Sequence, residues 1–169
     1  MAQDLQPLLL RPFTPSDYSV LISWLSDERD FYLFNGTSAG WPVTESALAE
    51  RAAQEGIHAW TAVLATSHTT PIGHIEFVRT TPDAGRFARV LIDPDFRGQG
   101  LARHLTGLGL RAARGLGMRR VDLNVVIGNE PALRTYSAMG FRLLGVNPDY
   151  PTMLRMTRSL GAADDKSGT

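Results

Sequence analysis

The sequence predicts an α+β fold: one domain with a mixed, mostly antiparallel sheet of six to seven strands, flanked by about four helices. Three observations predict it. Short connections join apolar runs at residues 59–64, 72–78 and 87–92, which makes them neighbours in an antiparallel meander. After Ile92 the pattern changes to helix, strand, helix, strand. No internal repeat or linker divides the 169 residues, a length that suits a single core.

Taken in order, Leu8, Leu9 and Leu10 form a first strand stopped by Pro12. Thr14 caps a helix with Pro15 in its first turn, and Tyr18, Leu21, Ile22 and Leu25 follow at helical spacing. Residues 27–42 read as an irregular segment rich in aromatics: Phe31, Tyr32, Phe34 and Trp41. Thr44 opens a second helix that Gly56 closes. The three meander strands come next, with turns at residues 68–71 and 82–85. Leu101, Leu105, Leu108 and Ala112 mark the buried stripe of a third helix, opposite Arg103, Gly107, Arg111 and Arg114. A strand at 121–127, a short helix at 129–139 ended by Gly140, and strands at 141–146 and 153–157 complete the domain. Residues 161–169 are small and polar and read as a flexible tail.

Composition excludes several function classes. The formal net charge is zero, which gives no electrostatic footprint for nucleic acid or an anionic membrane. Cysteine is absent, so disulfides, thiolate metal sites and cysteine nucleophiles are excluded together, and the chain suits a reducing cytoplasm. No basic segment followed by an apolar run occurs within residues 1–7, so no secretory leader is expected. No stretch approaches the roughly 20 apolar residues of a membrane span. Of the four histidines, His58, His68, His74 and His104, none forms a metal-binding pair, and no metal is expected.

The most informative segment is Val90-Leu91-Ile92-Asp93-Pro94-Asp95-Phe96-Arg97-Gly98-Gln99-Gly100-Leu101-Ala102. It is a strand, a proline-stopped turn, a glycine-containing loop and then a helix. Helix N-termini carry unpaired N–H groups and partial positive charge, so they receive phosphates. Gly98 and Gly100 let the backbone approach an anion, and Arg97 can add a charge-assisted hydrogen bond. A tight turn with glycine for geometry explains the same glycines. A Walker loop does not, because no Gly-Lys-Ser/Thr follows. Gly107-x-Gly109-x-x-Ala112 lies inside a helix and is no dinucleotide fingerprint.

Arg97-x-x-Gly100-x-Ala102 resembles the coenzyme A loop of the GNAT acetyltransferase superfamily. Asn129-x-x-Ala132-x-x-x-Tyr136-x-x-x-Gly140-Phe141 is similar to that family's second acetyl-CoA motif. Leu10-Arg11-Pro12, Trp41-Pro42 and Thr44 also resemble the branch that acetylates ribosomal-protein N-termini. The resemblance implies an acetyltransferase domain over residues 1–160, with acetyl-CoA as co-substrate and an amine as acceptor, either a small molecule or a protein N-terminus. It implies that backbone groups of Val90, Leu91 and Ile92 pair with the pantetheine arm where the third meander strand splays from strand 121–127. It places the pyrophosphate on N–H groups of Gly98, Gln99, Gly100, Leu101, Ala102 and Arg103. Asn129 would bond the pantetheine, and the Tyr136 hydroxyl would stand near the sulfur. Taken singly, Asn129 is also a helix N-cap, Gly140 a helix stop and Tyr136 a core aromatic.

The implied chemistry is direct attack of the amine on the thioester in a ternary complex, with the Val90 N–H facing the oxyanion and Tyr136 as general acid. The family's strand glutamates are replaced by Arg86 and Asn124. That leaves Glu76 as the nearest candidate base, with solvated surface residue as its ordinary role. Acceptor recognition falls to residues 27–42 and 147–152. There Phe31, Tyr32, Phe34, Trp41 and Tyr150 either line a pocket or close the core, and Asp27, Glu28 and Asp30 offer charge to a cationic amine. The alternative is a coenzyme A-binding regulatory module without catalysis. A homodimer through the last strands is open to such a fold.

Overall fold

The structure is a computed structural model that describes residues 7–161. The predicted tail, apart from Gly161, lies outside the described residues. Seven strands form one sheet: β1 (Leu8–Pro12), β2 (Ile57–Leu64), β3 (Pro71–Thr81), β4 (Ala84–Ile92), β5 (Arg120–Val126), β6 (Arg142–Val146) and β7 (Met153–Ser159). Their spatial order is β1-β2-β3-β4-β5-β7-β6. Only β4 and β5 pair in parallel; every other pair is antiparallel, and β2-β3-β4 is the predicted meander. The helices are α1 (Tyr18–Ser23), α2 (Glu28–Asn35), α3 (Glu45–Ala52), α4 (Leu101–Gly115) and α5 (Glu130–Ala138).

Helices cover both sheet faces, which gives two apolar clusters. In one, Ile75, Phe77 and Phe87 of the sheet meet Leu101, Leu105, Leu110 and Ala113 of α4. In the other, Tyr18, Leu21, Trp24, Phe31, Phe34 and Leu48 gather from α1, α2, α3 and their joins. Strand β3 is therefore buried on both sides from Ile72 to Phe77. Gly109 belongs to this packing: a Cβ there would come 2.8 Å from Ile75 Cδ1 and 3.0 Å from Phe87 Cζ. Glycine lets α4 approach the sheet closely.

Helix α2 replaces the irregular segment expected around residues 27–42, so the helices number five among the described residues. Its start follows ordinary capping rules. Asp27 accepts from the Asp30 N–H at 2.8 Å, and Gly36 ends the helix at φ 81°. Phe31 and Phe34, three positions apart, turn the same way into the core. Aromatic residues are weak helix formers in isolation, and burial supplies what propensity lacks.

Asp17 ties β1, β2 and the turn before α1 together. It accepts from Arg11 at 2.7 and 2.8 Å, from the Thr14 N–H at 2.9 Å and from Thr61 Oγ1 at 2.9 Å. The carboxylate is buried. Burial alone would raise its pKa, but these hydrogen bonds outweigh burial and hold it below the usual carboxylate range.

Candidate active site

Strands β4 and β5 pair only from Ala84↔Arg120 to Phe87↔Leu123. Beyond that point β4 stays on β3 as far as Ile92↔Gly73, while β5 stays on β7 as far as Val126↔Met153. The two central strands therefore splay. A bulge sharpens the divergence: Glu76 faces Ala88 and His74 faces Leu91, so Ile75 alone opposes both Arg89 and Val90. Arg89 occupies the left-handed region at φ 51°, where a non-glycine residue is strained. A cleft of about 660 Å³ opens between the strands. Residues 86–90 line it from β4, 123–126 from β5, and Asn129, Ala132 and Tyr136 from the α5 region. Residues 32–37 and 149–152 close it from outside the sheet, and Met153 lines it from the start of β7.

The glycine loop follows the far end of β4. Asp93 accepts from the Asp95 N–H at 2.9 Å and so starts a short 3-10 turn, Pro94–Phe96. Gly98 and Gly100 both have left-handed backbones, at φ 75° and 76°, and Gly100 is the N-cap of α4. A Cβ at Gly98 would meet nothing within 4 Å, so that side of the loop is open. The first-turn N–H groups at Leu101, Ala102 and Arg103 have no intrahelical acceptor by the geometry of any helix start. An open glycine cradle, a helix N-terminus and splayed strands suit a phosphate-bearing, extended thioester such as acetyl-CoA. Arg97 Nε donates to the Ile92 carbonyl at 3.2 Å, which fastens the loop to β4. Of the three expected β4 positions, Val90 lines the cleft, whereas Leu91 packs against the second cluster and Ile92 lies in the first.

On the opposite wall Asn129 caps α5, its Oδ1 accepting from the Ala132 N–H at 3.4 Å, and also lines the cleft. Tyr136 packs its ring against Phe141 with centroids 5.8 Å apart. Burial pushes the Tyr136 phenol up to about 12, so it stays protonated across the physiological range.

Glu76 is not a solvated strand residue: it is buried. Its Oε2 lies 3.0 Å from Arg51 Nε and 2.9 Å from Arg51 Nη2. Its Oε1 lies 3.5 Å from His74 Nε2 and 3.6 Å from Arg89 Nη1. Burial would raise its pKa, yet His74 and the charges of Arg89 and Arg51 outweigh burial and hold the carboxyl low. Arg89 is further held by Asn35 Oδ1, at 2.7 Å from Nη2 and 3.1 Å from Nε, and lies over the Phe34 ring. Arg86 and Asn124 both line the cleft. Asn124 Oδ1 accepts from Asn147 Nδ2 at 2.9 Å.

The expected acceptor segment divides in two. Tyr32 and Tyr150 line the cleft, Phe31 and Trp41 belong to the core, and Phe34 does both. Asp27, Glu28 and Asp30 do not line it; Asp27 serves α2 as its cap, and Asp30 accepts from Ser26. Sequence reasoning missed Arg51, Arg89 and the turn at residues 35–37. Arg89 left one sign: it interrupts the strand's alternation just before three consecutive apolar residues, as an inserted bulge residue does. Among the described residues no group of three acidic, histidine or cysteine side chains could hold a metal.

A mycothiol acetyltransferase from Thermomonospora curvata is 38% identical over 95 residues, 56% of this chain and 26% of that protein. One from Mycobacteroides abscessus is 43% identical over 60 residues, 36% of this chain and 20% of that protein. The chain thus spans about a quarter or less of the length of these curated relatives. Among solved structures, spermidine N-acetyltransferase from Vibrio cholerae, in complex with CoA and spermine, superposes with a TM-score of 0.77 at 19% identity. That match covers 92% of this chain and 97% of the other. An acetyltransferase from Thermus thermophilus matches at TM-score 0.71 and 25% identity, over 90% and 97% of the two chains. Residues 3–141 match the model of the acetyltransferase (GNAT) family. The splayed strands, the glycine loop and this match agree: the chain belongs to the acetyltransferase (GNAT) family.

Proposed function

We propose that the chain transfers an acetyl group from acetyl-CoA to a primary amine by direct attack in a ternary complex. The observation that carries this reading is the opening of β4 from β5 at the Arg89–Val90 bulge, with Tyr136 on the facing wall. In this reading the Gly98–Arg103 amides receive the pyrophosphate, and Asn129 and the exposed edges of β4 align the pantetheine. The Val90 N–H faces the carbonyl oxygen as it gains negative charge. The amine nitrogen bonds to the carbonyl carbon, the carbon–sulfur bond breaks, nitrogen loses one proton and sulfur gains one. A thiol near about 8.5 is the stronger acid than Tyr136. Tyr136 therefore donates a hydrogen bond to the departing sulfur, and passes its proton only as it regains one from the ammonium nitrogen.

Glu76, low in pKa and bound by arginines, suits a positioning role under the bulge better than that of base. The acceptor amine then arrives neutral. Small-molecule amines fit this reading, as do the names of the mycothiol and spermidine relatives. A protein N-terminus is the other acceptor, and rests on the likeness of Leu10-Arg11-Pro12, Trp41-Pro42 and Thr44 to the ribosomal-protein branch. The cysteine-free chain and its acyl donor suit the cytoplasm. No helix among the described residues is long and apolar enough to cross a membrane. The reading extends to a homodimer paired along β6, the sheet's edge, where Leu143, Leu144 and Val146 are exposed; sedimentation velocity checks it.

Calorimetric titration with acetyl-CoA, beside Gly100→Trp, tests the central claim. Binding that is selective over unrelated nucleotides and lost in the variant supports it, and thioester consumption with an amine completes it. A folded protein that ignores acetyl-CoA overturns it.

A further inference from the structure

The acceptor end of the cleft carries an excess of positive charge. Three guanidinium groups line the cleft, Arg51, Arg86 and Arg89, against a single carboxylate, Asp149, among the described lining residues. Glu76 lies behind them, and its two oxygens are taken up by Arg51, His74 and Arg89. Arg86 has no hydrogen bond or ion pair among the described residues. Its register partner across the β4–β5 ladder is Asp122, but that carboxylate accepts from Thr157 and lies 3.3 Å from Arg120. Arg86 is half-buried; burial and the charge of Arg51 disfavour its protonated form, and Tyr150 and Glu76 offset only part of that.

A half-buried guanidinium beside a second one, with no ion pair of its own, is a desolvated charge only partly compensated. Such an arrangement is unfavourable in the empty protein and is relieved when an oxyanion arrives. Guanidinium presents two parallel donors that match a carboxylate or a phosphate. A polycation would meet the opposite situation, with its second and third ammonium groups set against the arginines. The acidic side chains of α2 do not line the cleft and cannot compensate.

We infer that the acceptor is an amine that also bears an oxyanion, such as an amino carboxylate, which Arg86 binds with Arg51 beside it while the amine points toward Val90 and Tyr136. This inference rests on the transferase reading for the amine, but the anion site stands on the arginines themselves. It sets the specificity of the site: small zwitterionic amines are accepted and polyamines rejected.

The test uses the whole chain with acetyl-CoA and matched acceptors: amino acids, their amides and methyl esters, phosphoethanolamine beside ethanolamine, and spermidine. The expected result is a kcat/KM about 10–100-fold higher for the anionic member of a pair, the size of one charge-assisted hydrogen-bond pair. Arg86→Gln should erase that preference mainly through the acceptor KM, while the acetyl-CoA affinity and the melting temperature stay close to wild type. Arg86→Lys should restore part of it. The amino acid and phosphoethanolamine arms decide whether the oxyanion is carboxylate or phosphate. Equal rates for acid and amide, or efficient turnover of spermidine, overturn the inference. If no amine is acetylated, calorimetry with the amino acids and inorganic phosphate still decides it. Anion binding lost in Arg86→Gln sustains the site and sinks the transferase reading, whereas absence of anion binding in wild type sinks the site.

Discussion

Arg51, on α3, holds Glu76, on β3, through two contacts to one carboxylate oxygen, at 2.9 and 3.0 Å, although the two residues are 25 positions apart. The pair joins the helical layer over the cleft to the strand beneath the bulge. Glu76→Gln should leave Arg51 and Arg89 uncompensated. Breaking a buried ion pair by removing one partner costs about 3–5 kcal/mol. Arg51 is partly exposed, so the lower end of that range is expected, measured by urea denaturation of both proteins.

The same pair sets an expectation for pH. Glu76 has a depressed pKa in the folded protein, so it remains ionised well into the acid range. An acid limb of kcat/KM near neutrality or above then belongs to the acceptor amine. Profiles measured with two acceptors of different amine pKa should shift by that difference. A limb that keeps its position with both acceptors would identify a base on the protein instead.

Tyr136→Phe removes the hydroxyl and keeps the ring that packs on Phe141. Turnover should fall by roughly 100-fold, the scale of general acid catalysis. Acetyl-CoA affinity should change little, since the proposed binding rests on the glycine loop and the strand edges. Steady-state kinetics with calorimetry separates the two quantities, and unchanged turnover removes Tyr136 from the chemistry.

Asp17 predicts acid lability. Its folded pKa is depressed, so its contribution to stability is fully present above the unfolded value of about 3.9. It is lost as pH falls through the lower folded value. Asp17→Asn should cost about 2–3 kcal/mol at neutral pH, the scale of hydrogen bonds to a charged group. The difference between variant and wild type should narrow below pH 4. Denaturation curves across that window check the sign.

Gly109→Ala should destabilise by about 1–3 kcal/mol, because the added methyl would strike Ile75 and Phe87, both buried. Alanine is the better helix former, so propensity alone gives the opposite sign. Thermal melts decide which effect dominates.

Much of this protein was written locally. The meander strands, the α4 stripe and the glycine loop each depend on residues close in sequence, through periodicity, proline stops and left-handed glycines. The two spaced motifs beginning at Arg97 and Asn129 carried the family. Helix α2 reads in the sequence as an irregular segment, because its aromatic interior becomes helical only through burial under the sheet. Arg86 and Asn124 stand where the resemblance implies glutamates, and no local rule says what an isolated arginine on a strand will face. Glu76 read as a surface residue because a carboxylate on a strand ordinarily is one. Only the tertiary structure brings Arg51, His74 and Arg89 around it, from another helix, its own strand and a bulge. Sequence alone determined the fold and the glycine loop that opens α4, since both follow from backbone patterns that neighbouring residues impose. The charge of the cleft was decided by long-range packing, because electrostatics depends on distances that only the folded chain defines.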